Sequence, residues 1–409
     1  MKVQAIRIRN ISLVVAVFCA FGLWLEPSIG ELLKYFSPTA TAALALLGFA
    51  FVAFVFLARG WTFGWAPRLI RERPLACLIV LLVLIFAALY PVSQSGLIGG
   101  GSDEADALRV TFKAWLTGHD PYQALTYAGQ PADPMPGAIL LAAPFSLFDQ
   151  PGLQNLLWIP LFIALTPTIL GDRRPAVAFV TAFIIGCPAA MQQFVTGSDY
   201  LTNCLYVAVA ILAVTKGSES RSFVVRLAAY AFFSVSISSR PMYMLELPIT
   251  ALFLLRRSGI VCAAEFCAIG VTVLAAVNLP FFAEDPQNFP FFRISGFLNS
   301  IPEKFHPAVI LPALSVAAAV LGGLACRKNQ TIYLVSAVAM IPLFIPVFIF
   351  QCIEFQEDPR ALIINAVHSL PVTVFGGLWL MAFVDRAPNW QLEARRRIGR
   401  WRLPRLKAT

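Results

Sequence analysis

The chain has 409 residues, 58% of them hydrophobic and 13% charged, with a formal charge of +9. Soluble domains run nearer to 45–50% apolar and about 25% charged, so a soluble enzyme, a disordered chain and a disulfide scaffold are excluded. A mean hydropathy of +0.75 makes lipid the solvent, and at about 20 residues per crossing the length accommodates roughly ten to thirteen spans.

Hydrophobic runs lie at 11–28, 39–58, 75–92, 153–171, 176–191, 200–215, 223–239, 242–255, 259–281, 307–326, 331–351 and 361–384. They predict an all-α, polytopic membrane protein of about 12 transmembrane helices. With the N-terminus inside, odd runs exit, even runs return and both ends are cytoplasmic. The basic residues favour that orientation: 24 of the 31 Lys and Arg fall on the inner side, eight of them between Arg386 and Lys407, as the positive-inside rule requires. The outer side keeps Lys34, Arg109, Lys113, Arg240, Arg293, Lys304 and Arg360. The charge is therefore a topology signal, reinforced by anionic lipid beneath the Arg-rich tail, and not a nucleic-acid footprint. Residues 1–384 read as a single transmembrane catalytic domain and 385–409 as a basic cytoplasmic tail. The eight cysteines contain no CxxC pair; seven sit in or beside apolar runs and read as small hydrophobes, while Cys352 alone is expected to be exposed on the outer side. The first run is followed by Glu26-Pro27 rather than a small-residue cleavage site, which predicts a retained helix.

Most loops are short. Three outer segments are long: Pro91–Gly152, Ala283–His306 and Cys352–Arg360. Long loops tend to carry function, so the working face is predicted to be the outer one, centred on the loop 93–152 after the third span. A transporter of two six-helix halves usually has a long central inner loop, but Lys216–Arg226 is short and the halves show no self-similarity. The asymmetry points to an enzyme.

The outer loop opens Gly99-Gly-Gly-Ser102-Asp103-Glu104-Ala-Asp106 and continues through Arg109, Phe112, Lys113 and Trp115 to Gly118-His119-Asp120-Pro121-Tyr122. Leu108, Phe112, Trp115 and Leu116 fall on one stripe at helical spacing, with Asp106, Arg109 and Lys113 on the opposite edge. This predicts an amphipathic interfacial helix, N-capped by Ser102 and closed by Gly118. Asp103 and Glu104 then occupy its first turn. The bland reading is that they face water and favour the helix dipole; the sharper one is that they carry chemistry.

Paired acids in the first large outer loop, an amphipathic helix, then Gly118-His-Asp120-Pro121-Tyr122 and a Pro-punctuated apolar stretch from Pro134 to Pro144 resemble the GT-C superfamily of membrane glycosyltransferases. The nearest likeness is to the bacterial polyprenol-phosphate-mannose-dependent mannosyltransferases, with Met135 standing where that group usually has proline. Asp103-Glu104-Ala105 and the overlapping Glu104-Ala105-Asp106 are similar to its modified Asp-x-Asp element. Gln193-Phe-Val-Thr-Gly197-Ser-Asp199 and Ser239-Arg240-Pro241 also resemble segments of the group.

The resemblance implies inverting transfer of a hexose, mannose by that likeness, from a polyprenyl-phosphate carrier to a lipid-linked or glycan acceptor at the outer face of a bacterial inner membrane. An endoplasmic-reticulum protein of the same topology stays open. A carboxylate in reach of the acceptor hydroxyl acts as general base, and phosphate leaves without a second acid, unlike the paired carboxyls of glycoside hydrolases. Asp103 is the expected base, Glu104 positions the acceptor or tunes Asp103, and Asp106 is the reserve. Arg240, Arg293, Lys304 and Arg360 are the candidate ligands of the carrier phosphate, although interfacial cations also snorkel. His119, Asp120, Tyr122, Asp199 and His306 are candidate substrate contacts. No metal or other cofactor is expected, and the implied partners are the lipid-linked donor, the acceptor and the bilayer. Glu246 is expected to pair with Arg240, and Glu265 to make an interhelical hydrogen bond. The alternatives are a transporter or flippase of lipid-linked sugars, and a glycan ligase or polymerase.

Overall fold

In lipid every backbone N–H and C=O must be satisfied within its own segment, so long apolar runs can only be helices. The computed structural model describes residues 2–58, 73–95, 102–293, 298, 301–354 and 366–386. Its helices are α1 (Lys2–Tyr35), α2 (Pro38–Ala58), α3 (Pro74–Gln94), α4 (Asp103–Leu116), α5 (Pro136–Ser146), α6 (Asn155–Leu170), α7 (Arg173–Phe179), α8 (Pro188–Thr196), α9 (Asp199–Gly217), α10 (Phe223–Ile237), α11 (Glu246–Ser258), α12 (Ile260–Glu284), α13 (Pro307–Ala325), α14 (Asn329–Glu354) and α15 (Leu370–Arg386). Among the described residues there is no β-strand, only one isolated bridge between Leu125 and Pro131.

Among the described residues eight helices are long and apolar enough to cross a membrane, or nine segments if α7 and α8 form one bent span. This is fewer than the twelve runs of the sequence. The run 176–191 is broken: a π-helical turn at Val180–Ile185 follows α7, and Cys187 takes an extended backbone before Pro188, as proline imposes on its predecessor. The two pieces meet at 71°. The carbonyl of Gly186 at this break accepts a 2.8 Å hydrogen bond from Trp24 Nε1 of α1, satisfying a group that the irregular turn leaves free. The runs 223–239 and 242–255 contain the shorter α10 and α11, separated by a 3-10 turn at Pro241–Leu245.

The helix α9 lies at the centre. Of its apolar window 83% is buried, against 17% for α3 and for α12, whose flanks are left for lipid. Around it pack α6, α10 and α15, while α13, α14 and α15 stack in sequence and α11 joins α12 and α13. Asp199 and Lys216 mark the two ends of α9; they define an acidic and a basic end of the bundle. A smaller apolar cluster at the acidic end joins Leu108, Phe112, Tyr122, Met135, Ile139, Phe281 and Phe289. It seats α4 and the following loop on α5 and α12.

Two in-span acids acquire partners. Glu265 of α12 receives Arg226 Nε of α10 at 2.8 Å, an interhelical bond of the expected kind but ionic. Glu246 does not pair with Arg240. The 3-10 turn carries it further along the chain's path, where Ser336 of α14 donates to its carboxylate at 2.8 Å.

One close approach fixes α5. The N–H groups of Met135 and Gly137 donate to the carbonyls of Ser239 and Ser238 at 3.3 and 3.0 Å. A Cβ on Gly137 would overlap the carbonyl oxygen of Val235 and the backbone of Ser238. Because these obstacles are main chain, Gly137→Ala is expected to destabilise the protein by about 2–3 kcal/mol, read as a lowered Tm of the detergent-purified chain.

A carboxylate and arginine cluster at the acidic end

The site is built from the N-terminus of α4. Ser102 is extended and its Oγ accepts from Ala105 N at 3.4 Å, so the N-cap forms where the sequence places it. Thr117 and Gly118 end the helix, with Gly118 at φ +71°. The apolar stripe is divided: Leu108 and Phe112 are buried, whereas Trp115 and Leu116 are exposed. The charged edge is divided too, because Asp106 is buried.

The three acids of the first turn have different surroundings. Asp106 is fully engaged: Arg109 pairs with Oδ1 and Tyr127 N donates to Oδ2 at 2.7 Å. It ties the loop back onto α4 and has little capacity left for a substrate. Glu104 is half-buried and accepts from Ser102 Oγ. Burial pushes its carboxyl above the ordinary range; the Ser102 hydroxyl and a backbone N–H partly oppose this, the Asp199 charge adds to it and Arg240 opposes it. Asp103 is half-buried as well, and its Oδ1 is buried with no hydrogen-bond partner among the described residues. It is the acid left with an unused acceptor atom.

The rise at Glu104 sets a pH dependence. Its folded pKa lies above its ordinary value of 4.5, so the folded protein binds the proton more tightly, and stability falls as pH rises from 4.5 to the raised value. Glu104→Gln keeps a group that can accept from Ser102. It is expected to raise Tm above this window relative to the parent and to leave it unchanged below pH 4.5, in a series of thermal melts against pH.

Arg240 is the second component. Its backbone is extended between α10 and the 3-10 turn, and its side chain is 3% exposed. Nη1 donates to Asp133 Oδ2 and Nη2 to Asp199 Oδ1, both at 2.8 Å. The guanidinium stands 4.4 Å over the ring of Tyr200, whose other neighbour is the His368 ring at 4.7 Å. Burial works against its charge, but Asp133 and Asp199 outweigh that and hold it well above the ordinary arginine range. Only Nε is left without a partner among the described residues.

Asp199 is placed by a local device. Gly197, at φ +77°, closes α8, and Ser198 caps α9 through Tyr200 N. A Cβ on Gly197 would lie 2.9 Å from Gly152 Cα. The buried Asn155 amide spans the turn, donating to the carbonyls of Phe194 and Ser198 at 3.2 and 3.3 Å.

The other sequence-selected residues are spread around this cluster. Asp120 accepts from Tyr122 N at 2.9 Å and caps a 3-10 turn. Tyr122 is buried, and burial pushes its hydroxyl far above the usual tyrosine range. His119 is exposed and hydrogen bonds Thr117 Oγ1. Arg293 donates to the carbonyls of Ala132 and Tyr122 at 3.1 and 3.3 Å and to Asn288, bracing the loop that carries Asp133. Lys304 is exposed over the Phe305 ring, and His306, at φ +46°, precedes α13. Arg360 lies outside the described residues, as does the tail beyond Arg386. Sequence reasoning passed over Asp133 and His368. The only local signal for Asp133 is its place before Pro134, in the stretch that bonds to Ser238 and Ser239. Among the described residues no group of three or more His, Cys, Asp or Glu is placed to hold a metal ion. No protein-family model, curated protein or solved structure matches this chain.

Proposed function

We propose that the chain is a membrane glycosyltransferase that moves a hexose, mannose by resemblance, from a polyprenyl-phosphate donor to a lipid-linked or glycan acceptor at its acidic end. The observation that carries this reading is the buried, unpartnered Oδ1 of Asp103, beside a second carboxylate held by Ser102 and near an immobilised arginine. A general base needs an acceptor atom not already committed and a fixed position; Asp103 supplies the first and the start of α4 the second. The acceptor hydroxyl passes its proton to Asp103 as its oxygen attacks the anomeric carbon. The bond from that carbon to the phosphate oxygen breaks, and the carrier phosphate departs with the electron pair. A single displacement inverts the anomeric centre.

Asp133, Arg240 and Asp199 serve as a rigid wall, because both terminal nitrogens of Arg240 are engaged. Lys304, exposed at the same end with no ion-pair partner among the described residues, is the better placed ligand for the carrier phosphate. The topology that goes with this reading has about twelve crossings and the basic end in the cytoplasm. It draws support from α10 and α11, short as they are, running between Ser222 and Arg257 at one end and Arg240 at the other.

The test is transfer. Detergent-purified protein with radiolabelled polyprenyl-phosphate mannose and a membrane-lipid acceptor extract should yield a new labelled glycan. Label that crosses a proteoliposome membrane without forming a glycosidic bond would overturn the reading in favour of a flippase.

A further inference from the structure

The far end of α9 carries a second constellation. Over 19 residues the helix runs about 28 Å, from Asp199 to a cavity of about 410 Å3 at its C-terminal end. Lys216, Arg257, Arg327 and Lys328 line this cavity together with Asn329 and Gln330, and no acidic residue does. Of the four cations only Arg257 has an ion-pair partner among the described residues, Glu219. A topological excess of Lys and Arg accounts for cations at this end of the bundle, but not for their gathering around one concavity. Arg173 and Arg174, exposed at the same end, lie outside it. Like charges around a low-dielectric hollow repel each other and focus a strong positive potential, which an anion relieves.

Two further observations narrow the anion. The 26-residue α14 begins at Asn329 on the cavity wall, so its free N–H groups and dipole favour a phosphate there. The side-chain oxygens of Asn329 and Gln330 are buried with no hydrogen-bond partner among the described residues; Gln330 Nε2 already donates to the Leu170 carbonyl at 3.2 Å. Unused acceptors beside cations fit a ligand that brings hydroxyl donors as well as negative charge. The volume lies within the range of about 300–1,000 Å3 typical of small-ligand sites. We propose that this cavity binds a hydroxyl-bearing phosphate ester, of the glycerophosphate kind found both in anionic lipid headgroups and in soluble esters. The proposal does not rest on the transferase reading, since it concerns the opposite end of the bundle.

Full-length protein in neutral detergent is offered phosphatidylglycerol at increasing mole fraction, or glycerol phosphate, with thermal stabilisation and native mass spectrometry as readouts. One retained molecule is expected. Its apparent affinity should weaken about tenfold or more in Lys216→Gln/Arg327→Gln, given the usual contribution of each basic residue near an anionic headgroup. It should be little changed in Arg173→Gln/Arg174→Gln, which removes the same charge from outside the cavity. Binding of phosphatidylglycerol without competition by glycerol phosphate supports the site and assigns a lipid; competition supports it and assigns a soluble ester. Equal weakening in the two double variants, or binding of neither probe, would overturn it.

Discussion

Asp103→Asn is expected to lower the rate of the proposed sugar transfer by about a hundredfold or more, the usual contribution of a positioned general base, with Tm shifted only slightly. The substitution keeps the size of the side chain and removes its ability to take the proton. The accompanying structural loss is small, because a first-turn carboxylate gains about 0.3–1 kcal/mol from the helix dipole. Asp106→Asn gives the contrast. Asp106 has both oxygens engaged, by Arg109 and by Tyr127 N, so that variant should lose stability more than turnover. Steady-state transfer assays on both variants, beside thermal melts, separate the roles. Unaltered transfer in folded Asp103→Asn removes the base assignment.

Arg240→Met is expected to produce the largest loss of stability of any single substitution at the acidic end. Asp199 is 0% exposed and would keep only the Asn203 amide, at 3.0 Å, in place of its ion pair. Breaking a buried pair by removing one partner typically costs 3–5 kcal/mol, on the order of half the stability of a small domain. Asp133 is 47% exposed, so water takes over at that carboxylate and its share is slight. The double variant Arg240→Met/Asp199→Asn removes the stranded charge and should regain part of the loss. Detergent-solution melts of the three proteins test this; a single variant no less stable than the double one contradicts it.

The contrast between what was readable and what was not follows sequence separation. The α4 helix, its Ser102 cap and its Gly118 stop depend on neighbours within a turn, and capping chemistry is local. The Arg240 clamp was hidden because its carboxylates lie 107 and 41 positions away, and nothing near Asp133 marks it as a partner. Pairing of Glu246 with Arg240 was inferred from their closeness in sequence near a helix end, but a 3-10 turn opens at Pro241 and Glu246 meets Ser336 of α14 instead. The gap between twelve apolar runs and eight or nine long apolar helices among the described residues has a related reason. Hydropathy registers apolar length, whereas the Cys187-Pro188 step and the π turn before it interrupt the helix inside an apolar run.

The clamp also bears on the order in which the chain is made. Asp199 emerges 41 residues ahead of Arg240, so during synthesis the central helix must reach the membrane with its carboxylate uncompensated. An ionised carboxylate is costly inside a bilayer; the nascent helix is therefore expected to hold Asp199 at the aqueous boundary, or neutral, until the hairpin of α9 and α10 closes. Assembly of the acidic end is thus a late, post-insertion event, and a ribosome-bound chain stopped short of Arg240 should leave α9 loosely seated and open to protease.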